Sequence, residues 1–141
     1  MSDKYFIDTN VLAYMVDTRD SEKQKISKML VTKLAIQGNC CISTQVLNEF
    51  FNVATKKLKY TKEEAKNLIL NLMHFEVYRV EISDIPKAID ISIKTQFSYW
   101  DSLMILCAKN SKCTIFYSED LNDGEIVEGV KIVNPFANSQ N

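Results

Sequence analysis

The sequence predicts an α/β fold: a central, mostly parallel sheet covered on both faces by helices. Three observations predict it. Segments of strand character alternate with segments of helical spacing along the chain. The strand segments are unbroken apolar runs rather than period-two alternators, as expected of strands buried on both faces. The 141 residues, 46% apolar and 25% charged, suit one soluble domain with a substantial core. That domain is expected over residues 1–136, with 137–141 as a polar tail.

The elements follow in order. Residues 4–8 read as a short buried strand ending in an acid, Asp8, and residues 10–16 carry helical spacing. Ser21 is the expected N-cap of a second helix with Ile26, Met29, Leu30, Leu34 and Ile36 on its apolar face, closed by Gly38. Residues 40–43 form the next strand, after which Thr44 is expected to cap a helix presenting Val46, Leu47, Phe50, Phe51 and Val53. Thr61 and Glu64 have capping-box spacing, ahead of an apolar face of Ala65, Leu68, Ile69, Leu72 and Met73. A strand at 77–80 leads to a helix opening at Ser83 or Asp84. Pro86 falls in its first turn, where a missing N–H costs nothing. A helix over 98–109 and strands at 114–117 and 130–133 complete the series.

Composition excludes several classes. No apolar run is long enough to span a bilayer, and the first residues lack a signal-peptide profile, so a cytoplasmic protein is expected. Cys40, Cys41, Cys107 and Cys113 have neither CxxC spacing nor a His-rich partner segment, and His74 is the only histidine. They are expected as buried thiols rather than zinc ligands or disulfides. The formal charge of −1 excludes binding of nucleic acid by bulk electrostatics, though not by a local surface. There is no P-loop, no Ser-His-Asp set and no Cys-His pair.

In a parallel sheet the site lies beyond the carboxyl ends of the strands. Four acidic positions, the last with two candidates, fall there or within reach. Asp8 closes the first strand, Glu49 lies in the second turn of the helix after the second, and Asp101 stands near a helix start. Asp120 and Asp123 follow the strand at 114–117. Each has an ordinary explanation. Asp8 would serve as a helix cap, Glu49 as a solvent-facing residue, Asp101 as a favourable charge on a helix dipole, and Asp120 with Asp123 as turn formers. Their joint placement at one sheet end is what calls for more.

Phe6-Ile7-Asp8-Thr9-Asn10-Val11-Leu12 resembles the opening motif of PIN domains. The stretches 42–50 around Glu49, 99–105 around Asp101, and 117–124 with Val133-Asn134-Pro135-Phe136 resemble the later ones. The resemblance runs from residue 5 to about 136 and is fullest to the VapC-type toxin ribonucleases. It implies a compact α/β/α domain that binds Mg2+ or Mn2+ and hydrolyses RNA phosphodiesters, leaving 5′-phosphate and 3′-hydroxyl ends. Asp8, Glu49, Asp101 and Asp120 then take the catalytic and metal-binding positions, with Asp123 sharing or replacing the role of Asp120. Ser118 and Asn10 are supporting residues, and Glu119 is expected to face away. A homodimer and a small cognate antitoxin are implied as partners. The competing reading within the family is a catalytically weak RNA-binding or partner-binding module. A haloacid-dehalogenase phosphatase would want an Asp where Asn10 stands, and a receiver domain an acidic pair and a late Lys.

Carboxylates suit this chemistry because hard divalent cations prefer oxygen ligands and supply both water activation and charge stabilisation. Clustered acids without a cation repel one another and their pKa values rise. Lys56, Lys57, Lys59, Lys62 and Lys66, with Lys23, Lys25, Lys28 and Lys33, are read chiefly as solvated faces; on the cleft rim they would hold phosphates. Tyr14, Tyr60, Tyr99 and Trp100 are read mainly as core or edge aromatics, with base stacking by Tyr99 or Trp100 the lesser alternative.

Overall fold

The computed structural model describes residues 3–137. Strand β1 (Tyr5–Ile7) is followed by α1 (Thr9–Tyr14), α2 (Ser21–Gln37), β2 (Cys40–Ser43) and α3 (Thr44–Asn52). A π-helical turn over Val53–Lys57 extends α3, and α4 (Lys62–Leu72) and β3 (Glu76–Tyr78) follow. Then come α5 (Asp84–Thr95), α6 (Tyr99–Asn110), β4 (Ile115–Tyr117), β5 (Ile126–Val127) and β6 (Val130–Val133). The six strands lie in the order β3-β2-β1-β4-β6-β5, all parallel except β5, which runs antiparallel to β6. Helices flank this sheet: α6 packs on α5 and on β2, β4 and β6, while α1 joins α2 and α3. Among the described residues no helix is long and apolar enough to cross a membrane.

The central strands are buried as their apolar runs predict. All four residues of β2 are buried, and Phe6 faces Phe116 across the β1–β4 pair with rings stacked 5.6 Å apart. On the opposite face Tyr5 stacks on Tyr117 at 5.6 Å, in keeping with the two-residue alternation of a strand. Gly38 adopts φ +71°, and its N–H bonds to the Leu34 carbonyl, so the helix ends at a residue that tolerates the left-handed region. All four cysteines are buried free thiols; burial pushes Cys40 and Cys107 up to about 12.

Local expectations are corrected at several ends. Asp20, not Ser21, caps α2 through the Lys23 amide. Ser43, not Thr44, caps α3 through the Val46 amide, which leaves the Thr44 hydroxyl to accept from the Val80 N–H. The Thr61–Glu64 capping box forms as expected. On α2 the buried residues are Ser27, Val31 and Leu34, whereas Met29 and Ile36 point outward. Met73 is likewise exposed, because it lies past the last turn of α4. The π-helical turn and β5 carry no clear signal in the sequence. Of the expected tail, residues beyond 137 lie outside the described part.

Candidate active site

The register that pairs Phe6 with Phe116 and Ile7 with Tyr117 carries the next residues, Asp8 and Ser118, to the same end of the sheet. The Asp8 amide bonds to the Tyr117 carbonyl at 3.0 Å, which holds the two strand ends together. Asp8 occupies the N-cap position of α1 with extended backbone, yet its side chain caps nothing. It accepts instead from the Ser118 hydroxyl at 3.0 Å. Only 7% of Asp8 is exposed.

The other acids arrive on separate elements. Glu49 sits on α3, half-buried, where Oε1 accepts from the Thr9 hydroxyl at 2.8 Å and Oε2 from the Gln45 amide at 2.9 Å. Asp101 lies in the first turn of α6, whose N-cap Ser98 accepts from the Asp101 N–H at 3.1 Å. Asp120, in the loop after β4, accepts from the Asn10 amide at 3.0 Å. All four acids line one cleft of about 700 Å³ with Thr9, Asn10, Thr44, Gln45, Asn48, Asn52, Val53, Val80, Trp100, Leu103 and Met104. No lysine, arginine or histidine is among its lining residues.

The charges feel one another. Burial pushes the Asp8 carboxyl up to about 7; the Ser118 hydrogen bond opposes the rise, and Asp101, Asp120 and Glu49 add to it. Asp101 is raised for the same reasons, first burial and then Asp120 and Glu49, against the opposing effect of Ser98. This is the signature of carboxylates gathered without a counter-charge. Asp8, Glu49, Asp101 and Asp120 offer the all-oxygen donor set a hard divalent cation prefers. Among the described residues no three His, Cys, Asp or Glu side chains stand together closely enough to hold one ion directly. Mg2+ ordinarily retains several waters, so direct coordination by one or two of these carboxylates suffices for a fit.

Asp123 is turned elsewhere: its Oδ1 accepts from the Asn134 N–H at 2.8 Å and braces the loop against the end of β6. Glu119 points away from the cleft, accepting from the Tyr14 hydroxyl at 2.5 Å and from the Lys23 ammonium at 2.8 Å. The lysines named from the sequence do not line the cleft; Lys57 borders a smaller adjoining recess shared with Asn10, Tyr14 and Asp120. His74 follows α4, exposed and outside the cleft. Tyr60 is used internally, its hydroxyl bonding to the Val16 carbonyl at 2.6 Å.

Beside Thr9, Glu49 has a second support, Gln45, that the sequence pattern did not single out. Gln45 is 7% exposed, and its amide nitrogen bridges Glu49 and the Trp100 carbonyl, 3.0 Å away. Its carbonyl oxygen is buried without a hydrogen-bond partner among the described residues. A signal existed: Gln45, Asn48, Glu49 and Asn52 form a polar stripe at helical spacing, opposite Val46 and Phe50.

Comparison with known structures agrees with this architecture. VapC20 of Mycobacterium tuberculosis, described as a toxin that cleaves the sarcin–ricin loop, matches with a TM-score of 0.65 at 14% identity, over 83% of this chain and 90% of that one. FitAB bound to a DNA fragment matches with a TM-score of 0.69 at 16% identity, over 94% and 95%. DNA-bound VapBC of Salmonella typhimurium matches with a TM-score of 0.66 at 16% identity, over 93% and 97%. At such identities these likenesses speak for the fold alone. The PIN domain family pattern matches residues 5–123, most of the chain and all four cleft acids. The chain therefore belongs to the PIN domain family.

Proposed function

We propose that the protein is an endoribonuclease dependent on Mg2+ or Mn2+, acting as the toxin of a VapBC-type toxin–antitoxin pair in the cytoplasm. The observation that carries the nuclease reading is a cleft lined by four carboxylates and no basic side chain. Burial first, and repulsion between the acids second, raises Asp8 and Asp101 in this cleft, a cost that a bound cation would relieve. A divalent cation bound there supplies a polarised phosphoryl oxygen and a water acidified toward neutral pH. Asp8 and Asp101 are the carboxylates assigned to hold it, with Asp120 and Glu49 beside them.

The chain's own contribution is positioning. Ser118 fixes the Asp8 carboxylate, while Thr9 and Gln45 fix both oxygens of Glu49. Asn10 restrains Asp120. Each of these three acids is thus held by a donor from its surroundings, so the substrate meets a prearranged set. The apolar wall of Val53, Val80, Leu103 and Met104 lowers the local dielectric, which strengthens these interactions.

The toxin role and a small antitoxin partner are supported by the likeness to VapC20, VapBC, FitAB and a toxin–antitoxin complex; a second copy of the chain is the further partner that the PIN-domain resemblance implies. The experiment is cleavage of defined RNAs by purified protein in Mg2+ or Mn2+ and in EDTA, with Asp8→Asn and Asp101→Asn alongside. Cleavage should stop in EDTA and fall by at least about a hundredfold in either variant, on the scale of lost electrostatic stabilisation. Cleavage that persists in EDTA or in both variants would sink the metal–carboxylate reading. Tight RNA binding without cleavage would favour a binding module.

A further inference from the structure

We infer that Trp100, with Asn48 and Asn52, forms a nucleobase subsite beside the carboxylate cluster. The inference rests on the nuclease reading for the identity of the ligand and on independent geometry for the residues. Trp100 is the chain's only tryptophan and is 61% exposed, while Asp101 after it is half-buried and Ser102 buried. Of the exposed large hydrophobics among the described residues, Trp100 is the one that lines the carboxylate cleft.

Its setting is fixed rather than frayed. The Trp100 carbonyl accepts from the buried Gln45 amide at 3.0 Å, and the Tyr99 ring packs edge-on against the indole at 5.1 Å. Trp100 therefore stands on the first turn of α6, next to Asp101, among the residues that line the cleft. On α3 Asn48 and Asn52 line the same cleft one turn apart, both exposed. The Asn48 amide nitrogen is committed in part to the Thr44 carbonyl, which sets its orientation and presents its oxygen. No hydrogen bond engages the Asn52 side chain among the described residues.

An aromatic face beside amide groups is the means by which proteins seat a base, the ring by stacking and the amides by bonding to base edges. Without a cation the cleft lining offers no lysine or arginine to grip a backbone, so in EDTA the base must provide much of the hold. A base inside a duplex cannot reach an indole face, so the subsite requires a splayed nucleotide next to the bond to be cut.

The lone tryptophan makes the test direct. Wild-type protein in EDTA is titrated with a six-nucleotide single-stranded RNA, with the same RNA carrying abasic sites, and with a basic amphipathic peptide, following indole emission. The intact RNA should quench emission, and the abasic RNA should bind at least about tenfold more weakly, given the usual contribution of one stacked base. Trp100→Ala should lose about tenfold in RNA affinity and raise KM with little change in kcat, followed by anisotropy of a labelled RNA. Trp100→Phe should recover most of the loss, and circular dichroism confirms that both variants fold. Equal affinity for intact and abasic RNA, an unaffected Trp100→Ala, or quenching by the peptide alone overturns the subsite. The binding arms do not depend on turnover, so a protein that cleaves no RNA would refute the nuclease reading and leave the stacking result to stand or fall by itself.

Discussion

Replacing Asp8 by asparagine should abolish cleavage and yet stabilise the metal-free protein. The carboxyl is 7% exposed and faces three other acids, and its pKa stands at about 7 against an ordinary 3.8. Ionising it in the folded state therefore costs about 4 kcal/mol relative to the unfolded chain, at 1.36 kcal/mol per pH unit. The sign follows from proton counting. Between pH 3.8 and about 7 the native state binds the extra proton, so stability falls as pH rises through that window and is level above it. The substituted amide keeps an acceptor for Ser118 and carries no charge. In EDTA at pH 8.5 the variant should gain up to about 4 kcal/mol, or roughly 10 °C in Tm for a chain of this size. At pH 5 the gain should shrink to about 1.5 kcal/mol, because only the interval from 3.8 to 5 then contributes. Saturating Mg2+ should narrow the gap at high pH by stabilising the wild type more than the variant, which lacks one of the assigned ligands. Thermal unfolding at both pH values is the assay. A variant less stable than wild type, or one with the same gain at both pH values, would refute the argument that Asp8 is strained by its burial and, to a smaller degree, by its acidic neighbours.

Three further outcomes follow from the contacts. Thr9→Val removes the donor to one oxygen of Glu49 and should cut kcat about tenfold with a stability loss near 1 kcal/mol, measured by single-turnover cleavage and urea unfolding. Asp120→Asn should lower kcat at least about tenfold, whereas Asp123→Asn, which can still accept from the Asn134 amide, should change it less than about threefold. Glu119→Gln weakens the contact with Lys23 and Tyr14 and should cost about 1 kcal/mol of stability while leaving cleavage near wild type; a large kinetic loss would bring Glu119 into the chemistry.

The sheet and its helices were legible because apolar runs such as Cys40–Ser43 and caps such as Thr61 and Gly38 are local signals. The exchange of cap duty from Thr44 to Ser43 was not, since two adjacent hydroxyls compete and the Val80 amide, 36 residues away, decides between them. The exposed Met29 and Ile36 show the same limit, because α2 presents to the core only the narrow face that Ser27, Val31 and Leu34 define. At the cleft, position and the resemblance to PIN-domain motifs together named Asp8 and Asp120, which follow strands, and Glu49 and Asp101, which lie in the first two turns of helices. They left Asp120 and Asp123 in competition, since both follow the same strand. The separating contact, Asp123 with the Asn134 amide, belongs to a β6 register that no local pattern encodes. Gln45 was overlooked because a buried amide within a helix resembles a surface residue until its partners are known.

The bond between Ser118 and Asp8 closes a loop of 110 residues, as does that between Asn10 and Asp120. β1 is made first and lies at the middle of the sheet, but one of its neighbours, β4, is among the last strands made. A growing polypeptide consequently holds its first acid for most of its synthesis with neither the hydroxyl that orients it nor the loop that completes its surroundings. The cluster is complete only when the fourth strand lies beside the first. On the proposed nuclease reading, a shortened product ending before that strand lacks Ser118 and Asp120 and so the full set of acids.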